Sequence, residues 1–135
     1  MSRALLIEDC VELREFLAEL LVGEGFGVTV AADWGAALAA LDSRLDIILM
    51  SRSVAGSGPE AFMAEVRRRD LASLVVLMAS VIDEDELRRL GIRNALPKPM
   101  PVARLRRILS VCVQQGPKAL ALACAAPEAQ HAADK

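Results

Sequence analysis

Short apolar runs alternate with helical patterns five times along this chain. The runs lie at residues 4–7, 28–31, 46–50, 74–78 and 95–96. Most of them lack the polar alternation of a strand that has one face in water, so they are typical of strands buried on both faces. We therefore expect them to form the parallel strands of one sheet.

The segments between these runs carry apolar residues at helical spacing. In the first segment the apolar helix face is formed by Val11, Leu13, Phe16, Leu17, Leu20 and Leu21. Asp33 is placed to cap a second helix, Pro59 and Pro101 to open the third and the last, and Gly91 to end a short fourth. The pattern predicts an α/β fold, a doubly wound, five-stranded parallel sheet with helices on both faces.

The functional groups are expected where the strands end. In doubly wound sheets, ligands and reactive groups lie in the crevice beyond the carboxyl ends of the strands. Glu8 and Asp9 follow the first strand, Ser51 follows the third, and the residues after Met78 follow the fourth. These positions should therefore converge on one edge of the sheet.

Three motifs occur in a characteristic order along the chain. They are residues 6–9 (Leu-Ile-Glu-Asp), the strand at 46–50, and Gly91 followed by residues 96–99 (Leu-Pro-Lys-Pro). Each motif alone is weak, but their order and spacing resemble the receiver domain of bacterial response regulators. The resemblance covers about residues 3–113 and implies a flavodoxin-like fold.

The resemblance implies a role for each polar group at the sheet edge. In receivers, an acidic pair after the first strand helps to bind Mg²⁺, and an aspartate ending the third strand takes a phosphoryl group from a histidine kinase. A Thr or Ser ending the fourth strand and a Lys after the fifth contact the phosphoryl oxygens. Glu8 and Asp9 match the acidic pair, and Lys98 matches the lysine.

Two positions depart from the receiver pattern. Ser51 stands at the phosphoacceptor position, and Met78 stands at the switch position of the Thr or Ser. A serine hydroxyl is not ionised near neutral pH, and the sequence offers no evident base to activate it. We therefore expect a pseudo-receiver that lacks the phosphoacceptor aspartate and is not an enzyme.

The retained residues around Ser51 have a structural interpretation. We expect Lys98 to form an ion pair with Glu8 and Asp9 that closes the strand ends. Because the acceptor carboxylate is missing, Glu8 and Asp9 should bind Mg²⁺ weakly or not at all, and no cofactor is expected.

Three hypotheses about function follow. The first is a phosphorylation-independent signalling module of a bacterial two-component system that acts by protein–protein interaction. The second keeps a switch, either through phosphorylation of Ser51 by a serine kinase or through a small ligand in the acidic pocket. The third is a small α/β enzyme or nucleotide binder, although no glycine loop that could cradle a phosphate follows a strand.

The last two helices carry charges of opposite sign. Arg104, Arg106 and Arg107 give the last helix a basic side, and Asp85 and Glu86 belong to the acidic fourth helix. In receivers this region dimerises or meets targets, so the expected partner is a signalling protein or a second copy bound through these helices. The alternative is that both are solvated helix faces.

Composition narrows the remaining choices. The net charge of -2 argues against a nucleic-acid partner, and no apolar segment is long enough to span a membrane. Three cysteines without metal-type spacing, and a start without a signal peptide, predict a cytoplasmic protein. We expect a domain over residues 1–113, followed by an Ala-rich mobile tail at 114–135, with a short helix at 119–125 as the alternative.

Overall fold

The structure, a computed structural model of the chain, describes residues 2–54 and 58–125. The five strands are β1 (Ser2–Ile7), β2 (Phe26–Ala31), β3 (Ile47–Ser51), β4 (Val75–Ala79) and β5 (Asn94–Pro97). All neighbouring strands pair in parallel, in the order β2-β1-β3-β4-β5. The predicted five-stranded, doubly wound sheet is confirmed.

Within the described residues, six α-helices and two short 3-10 helices connect and follow the strands. The α-helices are α1 (Val11–Gly23), α2 (Trp34–Ala39), α3 (Gly58–Arg68), α4 (Glu84–Leu90), α5 (Val102–Gln115) and α6 (Leu120–Ala125). The Asp33 carboxylate accepts from the Ala36 backbone N–H at 2.8 Å and caps α2, while Gly91, with a φ of 76°, ends α4. Among the described residues, none of the helices combines the length and the apolar character that a membrane span needs.

The helices cover the sheet on two faces, each with its own core. Helices α2, α3 and α4 bury apolar side chains against one side, which we call the α2–α4 face. Helices α1, α5 and α6 bury theirs against the other, which we call the α1–α5–α6 face. Successive strand residues alternate between them: Leu77 belongs to the first core, and Val76 and Met78 belong to the second.

The register of the sheet brings the strand ends together. Strand β3 lies between β1 and β4, with Ile7 opposite Met50 and Ser51 opposite Met78. The Lys98 backbone N–H, directly after β5, donates to the Ala79 carbonyl at 2.8 Å. The residues that follow β1, β3, β4 and β5 therefore meet at one edge, as the sequence predicted.

The chain after α5 differs from the prediction. A mobile tail was expected from residue 114, but α6 packs Leu120 and Cys124 into the core of the α1–α5–α6 face. The Arg104 guanidinium donates to the Cys124 carbonyl at 2.9 Å and ties the end of α6 to the start of α5. The folded part thus extends beyond residue 113, with the short helix that was the alternative; residues 126–135 lie outside the described residues.

The apolar face predicted for α1 is wider than the face that the helix buries. Leu17, Leu20 and Leu21 are in the core, whereas Val11 and Phe16 are about half exposed. Helical spacing identifies residues on one side of a helix, but neighbouring elements decide how much of that side is covered. The uncovered part borders a cleft described below.

Candidate functional site

Ser51 is the last residue of β3 and is fully buried. Its hydroxyl oxygen accepts a hydrogen bond from the Lys98 ammonium, with 2.8 Å between Nζ and Oγ. The same oxygen lies 2.8 Å from the Ser53 hydroxyl. The side chain at the acceptor position is thus held by two partners within its own domain.

Lys98 joins this serine to the acidic residues after β1. Its ammonium nitrogen lies 3.5 Å from Oε1 of Glu8, and its side chain is 23% exposed. The pairing of Lys98 with Glu8 was expected from the sequence, whereas the expected pairing with Asp9 is not found among the described residues. The Lys98–Pro99 peptide bond is cis.

The acidic pair after β1 is divided between the protein interior and the surface. Glu8 is fully buried, and its Oε2 accepts from the Cys10 backbone N–H at 3.1 Å, while Asp9 is exposed. Both carboxylate oxygens of Glu8 therefore have protein partners, one from Lys98 and one from Cys10. Over residues 2–54 and 58–125 no group of three or more His, Cys, Asp and Glu side chains is placed to hold a metal ion.

Met78 lies beside Ser51 in the sheet and is 2% exposed. Its side chain belongs to the core of the α1–α5–α6 face and lines a cleft between α1 and α5. A thioether has no hydrogen to donate and is a weak acceptor. The position that carries a hydroxyl in receivers therefore makes apolar contacts in this chain.

Two residues that the sequence analysis did not single out complete the site. Ser53 lies next to Ser51, and the Arg52 guanidinium binds Glu86 of α4, with Nε 2.8 Å and 3.0 Å from its two carboxylate oxygens. This contact raises the pKa of Arg52 above its ordinary value. Arg52 thus connects the loop after β3 to α4; its position directly after Ser51 was the only signal in the sequence.

The two acids expected to belong to an interaction surface form ion pairs with arginines outside α5. Asp85 pairs with Arg88 of its own helix, and Glu86 pairs with Arg52 and Arg89. Since α4 and α5 pack on opposite faces of the sheet, these acids bind arginines of their own side. That these acids form one interaction surface with Arg104, Arg106 and Arg107 stays a prediction.

The three arginines of α5 are also not equivalent to one another. Arg104 is partly buried and binds the Cys124 carbonyl of α6. Arg106 and Arg107 are exposed on the outer side of α5. Only the latter two are presented at the surface as charged groups.

Comparison with known proteins gives relatives over most of the chain. Transcriptional regulatory protein CpxR of Klebsiella pneumoniae is 36% identical over 115 residues, covering 81% of this chain and 50% of the relative. Sensory transduction protein RegX3 of Mycobacterium bovis is 33% identical over 116 residues, covering 81% and 51%. The chain spans about half the length of these curated relatives. No protein-family model matches.

Solved structures share the fold. Chemotaxis protein CheY4 of Vibrio cholerae superposes with a TM-score of 0.67 at 25% identity, covering 78% of this chain and 92% of that one. The receiver domain of a Pseudomonas aeruginosa sensor histidine kinase, which has a magnesium ion in its active-site cleft, gives 0.68 at 25% identity, covering 80% and 93%. The residues described here form a receiver domain of the two-component response-regulator type.

Proposed function

We propose that this receiver domain signals by binding a protein partner, without taking up a phosphoryl group. The observation that carries the proposal is the bond of 2.8 Å between Lys98 Nζ and the buried Ser51 Oγ. In a phosphorylatable receiver the lysine contacts the phosphoryl group. In this chain a neutral hydroxyl and Glu8 already bind that cation.

The chemistry of phosphoryl transfer supports this proposal. The reaction needs a nucleophile, cations that offset the charge of the transferred group, and correct positioning of all of them. Ser51 has no carboxylate to attack with, and the ammonium group of its neighbour Lys98 is paired with Glu8. Met78 offers no hydroxyl that could follow a phosphoryl oxygen.

The arrangement of the acidic pair argues for weak or absent Mg²⁺ binding. Mg²⁺ in proteins is usually held by one or two carboxylates together with waters or phosphate oxygens. Both oxygens of Glu8 are engaged, so a metal would have to displace Lys98 or the Cys10 N–H. Asp9 alone would remain as a ligand.

The proposed role is that of an interaction module and not of an enzyme. Its partner is a signalling protein or a second copy of the chain, and the net charge of -2 does not favour nucleic acid. We place it in the cytoplasm; the three cysteines are all free, which agrees with a reducing compartment.

The conformational response to a small phosphodonor tests this proposal. Acetyl phosphate with Mg²⁺ should leave the fluorescence of Trp34 and the amide NMR spectrum of the domain unchanged. Trp34 is a suitable probe because its side chain packs closely against Gly58, just after the loop that follows Ser51. A spectral change at α4 or in the loop after β3, saturable with phosphodonor, would overturn the proposal.

A cleft beside the site favours one second candidate, a small ligand that acts as the signal. It has a volume of about 440 Å³ and is lined by Ser53, Asp83 and Lys98 among other residues. Full burial of Ser51 argues against the other form of this candidate, phosphorylation by a serine kinase. If Ser51→Asp and Ser51→Ala both leave partner binding unchanged, a switch through Ser51 is excluded.

A further inference from the structure

Exposed apolar side chains are concentrated on one face of the domain. Of the large hydrophobic residues that are exposed in the described chain, six belong to the helices of the α1–α5–α6 face: Val11, Phe16, Val22, Val102, Val113 and Leu122. The other two are Val30 and Val81, and neither lies on the helices of the α2–α4 face. Single exposed apolar residues are ordinary, but a grouped set marks an interaction surface.

The same face carries exposed charges without partners. Glu12, Glu15 and Glu19 on α1, and Arg106 and Arg107 on α5, are exposed, and no ion pair or side-chain hydrogen bond engages them within residues 2–54 and 58–125. Helix α1 thus presents carboxylates, and α5 presents guanidinium groups.

A cleft of about 380 Å³ separates these two helices. Its α1 wall includes Leu13 and Phe16, and its α5 wall includes Val102 and Leu105. Phe16 is 48% exposed and Val102 is 38% exposed. The cleft is therefore an open apolar groove, and the apolar side chains on its two rims are partly exposed.

Along each rim of this groove, charged and apolar residues lie on the same side of the helix. Glu12, Phe16 and Glu19 are spaced four and three residues apart, which places them along one stripe of α1. Val102 and Arg106 are four residues apart on α5 and also share a stripe. One rim is apolar and acidic, and the other is apolar and basic.

We propose that the α1–α5 groove is the contact surface of a symmetric homodimer. A two-fold axis would set the acidic rim of α1 against the basic rim of α5 in the second copy, twice per dimer, with Phe16 and Val102 at the centre. Such an interface is self-complementary, because the same patch supplies both charges. The inference rests on the proposed function, since it names the partner that this receiver binds.

A second copy of the chain fits this surface better than a partner whose charges are all of one sign. An acidic partner would be repelled by Glu12 and Glu19, and a basic one by Arg106. The alternative dimer through α4 and α5 would have to give up the ion pairs that Asp85 and Glu86 already make within the chain. Glu12, Glu19 and Arg106 have no ion pair in the described residues that a second copy would have to break.

Charge reversal followed by sedimentation velocity, without phosphodonor, tests the inference. The wild type should dimerise, and either Glu12→Lys/Glu19→Lys or Arg106→Glu should weaken the dimer by at least about tenfold. An equimolar mixture of the two variants should dimerise again, because each reversed rim then meets a reversed rim of opposite sign. Thermal melts verify that both variants are folded, as expected for exposed positions.

The matched control is Asp85→Lys, which reverses an exposed acid on α4 and should leave the dimer unchanged. A wild type that stays monomeric, or a dimer that depends on Asp85 and not on Arg106, would overturn the inference. So would a mixture of the two rim variants that fails to associate. None of these results depends on phosphoryl transfer, so the proposed insensitivity to phosphodonor is judged separately.

Discussion

The α2–α4 face and the α1–α5–α6 face bury the same sheet but present different outer surfaces. On the first, most of the charged side chains of α3 and α4 are paired within the chain: Glu65 binds both Arg68 and Arg69, and Arg89 connects Glu60 with Glu86. On the second, Glu12, Glu19 and Arg106 are exposed and form no ion pair with any residue that the structure describes, and they lie beside grouped apolar side chains.

The difference is confined to the surface, because the strand side chains of both cores are buried from solvent. Fully buried strand residues point into each core, such as Leu5 and Ile48 on one side and Leu6 and Leu49 on the other. A partner that bound the charges of the α2–α4 face would first have to replace these ion pairs, each of which contributes only modestly to stability. The comparison therefore supports the proposal that the partner binds the α1–α5–α6 face.

The largest expected effect comes from comparing a phenylalanine on each face. Phe62 of α3 is fully buried and packs on Trp34, with 5.6 Å between ring centroids. Phe62→Ala should lower the free energy of unfolding by about 3–5 kcal/mol. Phe16→Ala should lower it by less than about 1 kcal/mol, since that ring is half exposed. Urea unfolding of both variants measures this; equal losses would contradict the assignment of Phe16 to a contact surface.

An intermediate effect is expected where α6 docks on the α1–α5–α6 face. Burial raises the pKa of the Cys124 thiol to about 11, whereas Cys10 is exposed. In the wild type a maleimide should therefore label Cys10 quickly and Cys124 slowly. Leu120→Ala removes the other buried side chain of α6 and should make Cys124 reactive. Mass spectrometry locates the label.

A wild type in which Cys124 reacts as fast as Cys10 would show that α6 does not stay docked. The matched control is Leu122→Ala, because Leu122 is 80% exposed on the same helix and should leave both thiols unchanged.

The smallest expected effect is the pH dependence of stability that arises from the ion pairs. Hydrogen bonds from Arg68 and Arg69 lower the pKa of Glu65 to about 2, from an ordinary 4.5. Because the pKa is lower in the folded state, the ionised form stabilises the fold above about pH 4.5, and this contribution is lost as the pH falls towards 2. Glu65→Gln should therefore show a smaller loss of stability over that range than the wild type.

The control for this prediction lies on the other face. Glu15 has no ion pair in the described part of the chain, so Glu15→Gln should change the acid profile less than Glu65→Gln does. Acid titration of the unfolding midpoint separates the two variants. Equal effects would mean that the ion pairs of α3 do not set the difference between the faces.

The sequence predicted what depends on local pattern. The buried apolar runs predicted where the strands lie. In the structure the ends of these strands bring Glu8, Ser51, Met78 and Lys98 together at one edge of the sheet. These predictions succeeded because apolar runs and strand ends are properties of short segments.

Features set by contacts between distant segments could not be predicted in this way. The partner of Glu86 is Arg52, a loop residue whose position depends on how β3 and α4 pack. Likewise, spacing alone could not show that Phe16 stays half exposed. The docking of α6 did leave a signal, since Leu120 and Cys124 are four residues apart, but alanine between and around them obscured it.

The central claim is that Lys98 binds the Ser51 hydroxyl at the position where receivers accept a phosphoryl group. Intact-mass measurement after incubation with acetyl phosphate and Mg²⁺ tests it directly, with a phosphorylatable receiver treated in parallel as the positive control. The account predicts a mass identical to that of the untreated protein. A stable adduct of one phosphoryl group would contradict it.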